Sequence, residues 1–551
     1  MTGTVKTEKT KMRGNRYLVP GIQLLLAVFS FGYALFFIRY NYYTLMNSDT
    51  SGELILGRLL SREGGILSTA WDYSTELRVI NTQLIYKLVF MVVGDNWMLV
   101  RFISNSIMLL MLAAGYLFMM HALGRDKEGR WTVWMLFLPF GANYGYIVVY
   151  GAFYIPHILF TFISVGLMAL AIKGNDGKRY IAFGLLVLAA FLSGMGGARQ
   201  ALICYIPAVI VGGMDMLLRF LTDRGEVLKR FIVVTGAFAG NILGVAFNGK
   251  VLSGRFNYVN QPDKYLWEGI SPGNFLDVFG DLISTFGMCF DETSFMGVYG
   301  AVNFLCLGFA ALIIWGLYIL ISRRQKLDDT ALFYLAFIMV SILFCGFVYS
   351  CCRKEYYMIT YWAPFMPLLY PVPLMALEYF DGINLRKAMP LLVAYTFLAF
   401  LLGSHVTLKN PFDIRLDFMQ EGKNLVQADE VIRDLPDQGV APFWIANNFT
   451  EYTNGRKEMW AVEDSTFKTF GNGDRRKSSW LQNKIHEEKL PEGKFFVATF
   501  ARVLDDPEYF AYTPLFLDES HMVYSDDHLT IYVFEDYNDF KNTLEAVGAY
   551  E

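Results

Sequence analysis

YLVPGIQLLLAVFSFGYALFFIRYNYYTLMNSDTSGELILGRLL, residues 17–60, is the stretch whose reading decides the fold. Residues 17–38 carry no Asp, Glu, Lys or Arg, and a helix needs only about 20 apolar residues to cross a hydrocarbon core of about 30 Å. Lys6, Lys9, Lys11, Arg13 and Arg16 precede that run. It is too long for a signal-peptide core and no small-residue cleavage site follows it, so it reads as an anchor that stays, with the N-terminus inside. Asp49 stands just beyond the outer end, ahead of a short helical pattern over 51–62 that Thr50 and Glu53, spaced as a capping box, are expected to start.

Working outward, 54% of the 551 residues are hydrophobic and 16% aromatic. The apolar residues fall in long runs, so the bilayer is the expected main solvent. About eleven spans are expected, near 17–38, 97–120, 131–147, 151–172, 180–194, 200–221, 231–249, 296–322, 330–349, 358–379 and 388–407. Each short loop on the N-terminal side is basic, from Arg125, Lys127 and Arg130 to Arg323, Arg324 and Lys326, and to Arg386 and Lys387. That is the positive-inside pattern, and an odd number of spans then puts the tail outside. The tail, 408–551, holds 15 Lys and Arg against 27 Asp and Glu, a net −12 that leaves +8 for the rest of a chain whose total is −4. Acid outside and base at the cytoplasmic face argue against nucleic acid as a partner.

The fold class expected is an all-α polytopic membrane bundle followed by a soluble exoplasmic α/β or α+β domain over 408–551. In that tail, APFWIANN, KFFVATF and LTIYVFED read as strands, and 416–434 and 476–488 as helices. The tail has no cysteine; all six in the chain lie in or beside spans. A bacterial plasma membrane therefore suits it better than a eukaryotic secretory pathway. No Cys or His spacing suggests a metal, and no cofactor is expected.

Most connections are short, but 40–95 and 250–295 are long outer loops, and long ordered loops are uncommon unless they work. In the first, Leu77, Ile80, Leu84, Ile85 and Leu88 recur at helical spacing opposite Arg78, Asn81, Thr82 and Lys87. This predicts an amphipathic interfacial helix over 77–89.

Asp49 heads the candidate site residues: a carboxylate at the outer interface can serve as general base to an acceptor hydroxyl. Its plain structural role is a first-turn acid favoured by the helix dipole. Glu53 is the next candidate, with capping as its alternative role. Asp72 and Glu76 rank lower, as polar residues on an interfacial helix. Arg78 and His157 are read as substrate-lining, although His157 in FYIPHILF also suits a contact between helices.

The order of features resembles the large C-type (GT-C) integral-membrane glycosyltransferases: a first span, an acid immediately outside it, two interfacial helices in one loop, then a bundle with a second long outer loop. That superfamily includes protein mannosyltransferases and the lipid A aminoarabinose transferase. The likeness covers roughly 17–405 and is strongest in NSDTSGELILGRLL and WDYSTELRVINTQLIY; the tail run FWIANNFTEYTNGRKEMW is similar to that of uncharacterised bacterial multi-spanning proteins. The resemblance implies transfer of a sugar from a polyprenyl-phosphate donor to an exoplasmic glycan, lipid or protein, with Asp49 as base. It also implies cations for the carrier phosphate. Arg199 in SGMGGARQ, Arg255, Arg353 and Lys354 are the candidates, of which one or two are expected to meet phosphate. Many members carry a second acid between spans three and four, whereas ANYGYIVVYGAFYIPH has none, so a metal-independent site is expected. Two rival readings stand beside the enzyme: a flippase or transporter for lipid-linked sugar, which calls for broken spans and charges at mid-membrane, and a scaffold whose tail binds wall polymer.

Overall fold

In the computed structural model, nine helices among the described residues are long and apolar enough to cross a membrane: Leu18–Tyr40, Trp97–Ala122, Ile155–Lys173, Gly177–Gly194, Ala201–Arg219, Arg224–Leu252, Gly297–Ser322, Asp329–Ser350 and Ala388–Lys409. The structure describes residues 4–174, 176–258, 272–287, 296–352, 357–381, 385–410, 421–462, 467, 470, 481–501, 504–506, 510–512 and 519–546. The chain is a multi-pass membrane protein.

Two expected spans, 131–147 and 358–379, are interrupted. The first comprises Asp126–Thr132, a 3-10 turn at Val133–Leu136, and further turns from Ala142 to Tyr150. Pro139 and Gly141, the latter at φ 83°, separate these pieces, because proline removes a backbone donor and clashes with the preceding turn. In the second, Pro364, Pro367, Pro371 and Pro373 cut the chain into Ile359–Trp362, Met366–Leu369 and Val372–Tyr379. Both segments nevertheless run the length of the bundle. Arg125 donates to Glu378 and to the Tyr379 hydroxyl at one end, and the Tyr154 hydroxyl lies 3.5 Å from Thr360 Oγ1 at the other. Their irregular backbone is tolerated at membrane depth because it is buried in protein: Trp134, Leu136, Leu138, Trp362 and Ala376 expose nothing.

The two ends of the bundle differ in kind. At one, basic side chains pair with acids across short loops: Arg125 with Asp328 and Glu378, Arg219 and Arg230 with Asp329, Arg323 with Asp381. At the other lie the first outer loop and the tail. Trp97, Trp131 and Trp362, which suit a membrane-interface belt by their position in the sequence, are instead packed inside. Asn105 and Asn241 do bridge segments, donating to the carbonyls of Val149 and Ala190.

Helix α1, Thr4–Tyr40, leads into α2, Ser48–Glu63, and α3, Gln83–Val93, precedes α4, Trp97–Ala122. The helix expected over 77–89 thus starts later and runs further. Residues 74–82 before it are not helical, and β1 (Trp71–Asp72) pairs antiparallel with β4 (Gln482–Asn483) of the tail. Leu88, Met91 and Val92 of α3 face outward. On its inner side α3 meets α2 so closely that a Cβ at Gly57 would strike the Tyr86 Cβ at 2.5 Å.

The tail's main sheet has the order β3-β2-β5-β9-β8, formed by Glu458–Val462, Gln438–Pro442, Phe495–Phe500, Leu529–Phe534 and Met522–Ser525. Strands β3, β2 and β5 run parallel, and β9 and β8 extend the sheet antiparallel. A small hairpin, β6 (Leu504–Asp506) with β7 (Phe510–Tyr512), stands apart. The expected strand APFWIANN ends at Pro442, and FWIANNFTEY forms a helix, Phe443–Tyr452. One sheet face packs on Val440, Phe495, Phe534 and Phe540 of the tail itself. The other belongs to a core shared with the first outer loop: Leu56, Leu60, Trp71 and Leu77 pack with Leu425, Phe449, Phe496 and Ile531.

Candidate active site

Asn47, not Thr50, starts the helix that carries the leading candidate. Its backbone is extended (φ −149°, ψ 169°), its side chain accepts from the Thr50 amide at 3.0 Å, and the Thr50 hydroxyl takes the Asn47 amide in return. That capping box leaves Asp49 in the first turn and releases Glu53 from the capping role expected of it. Glu53 instead turns inward, where its carboxylate accepts from the Thr82 hydroxyl at 2.8 Å and from Asn81 Nδ2 at 3.4 Å.

Two first-turn residues of α2 are held directly by the tail, and a third, Thr50, by an arginine that the tail pairs. The Ser48 hydroxyl donates to the Phe443 carbonyl, and Asn447 Nδ2 donates to the Ser48 carbonyl at 3.2 Å. The Ser51 hydroxyl donates to Glu451 at 2.6 Å. Arg101 of α4 reaches the Thr50 carbonyl at 3.1 Å while bonding both Glu451 oxygens. Asp49 is the exception. It is half-buried, and among the described residues no hydrogen bond ties its carboxylate. Burial pushes that carboxyl up to about 6; Glu53 nearby raises it further, and Arg78 opposes both. Glu53 is also raised by burial, against the pull of Arg78 and Thr82.

Opposite stands a cationic wall. Arg78 Nε lies 3.3 Å from Glu76, and Arg199 Nη2 lies 3.7 Å from the same Glu76 oxygen. All three side chains are about one-fifth exposed, which lines them along a cleft rather than in the core. No described residue accepts from the Nη nitrogens of Arg78. Arg199 donates to the Tyr154 hydroxyl at 3.1 Å and is sandwiched between the Tyr154 and Tyr361 rings, 5.6 and 5.3 Å from their centroids. A guanidinium held on two aromatic faces keeps its planar fork aimed. His157 packs edge-on to Tyr154, and Gln200 Nε2 donates to the Thr161 hydroxyl at 2.9 Å.

The structure therefore brings Asp49, Glu53, Arg78, His157 and Arg199 to one end of the bundle. Arg255 does not join them: it is exposed beyond the turn that ends Arg224–Leu252 and contacts none of this set. Arg353 and Lys354 lie outside the described residues. Asp72 is drawn into the β1–β4 pairing, where burial pushes its carboxyl up to about 6. Glu76, ranked low on an expected helix, lies in a non-helical stretch, where its carboxylate meets both Arg78 and Arg199. Tyr154, Tyr361 and Gln200 had no signal in their spacing. Among the described residues no three His, Cys, Asp or Glu side chains converge as a metal set.

This fold is a polytopic bundle with an acid on a short helix beyond its first span and a tail helix packed on that short helix. Two solved structures share it over nearly their whole length. ArnT from Cupriavidus metallidurans bound to undecaprenyl phosphate matches with a TM-score of 0.55 at 12% identity, over 93% of this chain and 98% of that one. The apo form of the same protein gives 0.56 at 12% identity and the same coverage. No protein-family model matches the chain, and no curated protein matches it either.

Proposed function

We propose that this protein transfers one sugar from a polyprenyl-phosphate donor to a hydroxyl acceptor at the non-cytoplasmic face of a bacterial plasma membrane. The observation that carries the reading is the pairing of an unbonded carboxylate, Asp49, with the open Nη edge of Arg78 in a single cleft at the tail-bearing end of the bundle. Asp49 takes the acceptor O–H proton as the new bond from that oxygen to the sugar's anomeric carbon forms. The bond from that carbon to the phosphate oxygen breaks, and its electron pair leaves with the carrier as polyprenyl phosphate. Arg78 and Arg199 stabilise the charge that develops on that oxygen, the interaction that raises rate when it strengthens in the transition state. His157 and Gln200 line the floor. The step uses no metal.

The likeness to a protein solved with undecaprenyl phosphate supports the choice of carrier class, and the basic loops at the far end support an outward-facing site. The test is to mix purified protein in lipid with a panel of polyprenyl-phosphate sugars and follow donor loss. Loss that depends on Asp49 carries the reading, and no loss with any donor overturns it. The interrupted spans at 131–147 and 358–379 favour a second reading, translocation of the lipid-linked sugar. The charges gather at one end of the bundle instead of midway along it, which weighs against translocation. Movement of intact donor between leaflets without its consumption would select it.

A further inference from the structure

The anion that Arg78 and Arg199 share is already part of the protein. One oxygen of Glu76 lies 3.3 Å from Arg78 Nε and 3.7 Å from Arg199 Nη2. Gly197, at φ 107°, brings backbone against it; a Cβ there would stand 3.4 Å from the Glu76 carboxylate. Most side chains rarely adopt that φ, so the close approach is built around glycine. The guanidiniums stay aimed because the Tyr154 and Tyr361 rings hold Arg199 from two sides. Two arginines and one carboxylate give the pocket wall a single positive charge, where the arginines alone would give two.

That difference matters because the two phosphates a glycosyl transfer handles differ in charge. A sugar-bearing carrier is a phosphodiester with one negative charge, whereas the spent carrier is a monoester, whose second ionisation near pH 6 takes it towards two. Repulsion from a fixed carboxylate grows with ligand charge. It therefore falls harder on the product than on the donor.

We propose that Glu76 is a specificity-determining residue that takes one unit from the positive charge a phosphate meets at Arg78 and Arg199, favouring the monoanionic phosphodiester as donor and release of the dianionic monoester. The inference rests on the polyprenyl-phosphate reading given above. With the pocket empty, Glu76 also keeps both guanidiniums in place, so donor binding exchanges one anion for another without reorganising the cations.

The test measures binding of a short-chain polyprenyl phosphate and of its methyl phosphodiester to the full chain in detergent at pH 7.5. Glu76→Gln is expected to tighten the monoester by about tenfold or more and the diester by no more than about threefold, since the removed repulsion scales with ligand charge. Glu76→Asp keeps the charge and is expected to keep the wild-type ratio. In turnover, Glu76→Gln should lower KM and kcat together, as retained product becomes limiting. Equal tightening of both ligands, or a weaker monoester, overturns the inference while the carrier reading stands. Binding of neither ligand by the wild type overturns both. The wild type gives an answer even without a folded variant: a monoester preference of about tenfold or more over the diester would be incompatible with a pocket tuned against dianions.

Discussion

Arg101 and Glu451 form an ion pair with both side chains at 0% exposure, 2.5 Å between Nη2 and Oε2, joining the second span to the tail helix. The same guanidinium donates to the Thr50 carbonyl, so the residue after Asp49 is fixed by a contact that the tail completes. Removing one partner strands a charge in a dry interior, which costs about 3–5 kcal/mol. Glu451→Ala and Arg101→Ala are each expected to lower the thermal midpoint in detergent by several degrees. If either variant melts with the wild type, the tail is not a support for α2.

Asp49→Asn keeps the shape of the side chain and removes its basicity. Transfer should fall by about 10² to 10⁴, the usual contribution of a positioned base, with donor affinity within about twofold of wild type. Single-turnover rates beside equilibrium binding separate the two. Full activity would move the base to Glu53, and full activity in both Asp49→Asn and Glu53→Gln would end the active-site assignment.

The base works only when ionised. With the Asp49 carboxyl near 6, kcat/KM should climb as pH rises through about 6 and level off above it, the form expected for one essential base in the free enzyme. Glu53 raises that carboxyl, so Glu53→Gln should move the limb towards lower pH. A limb that stays in place, or moves up, would mean that another group sets it.

The candidate cations should separate. Arg199→Ala removes a contact present in the ground state that strengthens as the phosphate leaves, so both donor affinity and turnover should drop, by about tenfold or more. Arg78→Ala is expected to behave alike. Arg255→Ala, at an exposed side chain, should leave both within about twofold. A chelator should change nothing; loss of activity with EDTA that Mg²⁺ or Mn²⁺ restores would add a metal to the step.

Topology is open to direct chemistry. A cysteine introduced at Thr222, in the loop between Ala201–Arg219 and Arg224–Leu252, should resist a membrane-impermeant maleimide on intact cells, and one at an exposed tail position such as Asp527 should react. Labelling at Thr222 would invert the orientation, because the basic loops would then face out.

The bundle and the α/β tail were legible because hydropathy acts over whole segments. Breaks were less so: ANYGYIVVYGAFYIPH reads as apolar as a span, although Pro139 and the four prolines of 364–373 mark both interruptions. The spacing Thr50-x-x-Glu53 leaves Glu53 between a cap and a second acid, and Asn47, three residues before Thr50, takes Thr50 as its partner and frees Glu53 from the cap. Glu451 and Asn447 look like solvated residues in FWIANNFTEY. Their burial depends on Arg101 and Ser48, some 350 to 400 residues away, and no local pattern carries that. Arg255 stands apart for the opposite reason: it is an exposed lone arginine with nothing in the sequence to aim it.

The core that the first outer loop shares with the tail also sets a schedule. Leu56, Leu60 and Trp71 leave the ribosome long before the strands that cover them, Phe495–Phe500 and Leu529–Phe534, some four hundred residues downstream. Contacts so distant in sequence close late, and domains grow from the N-terminus at about 5–20 residues per second. For tens of seconds, then, Leu56, Leu60 and Trp71 wait in the membrane without the strands that cover them. A chain cut short before Phe495 acquires neither strand, which ties the setting of the Asp49 helix to residues some four hundred positions downstream.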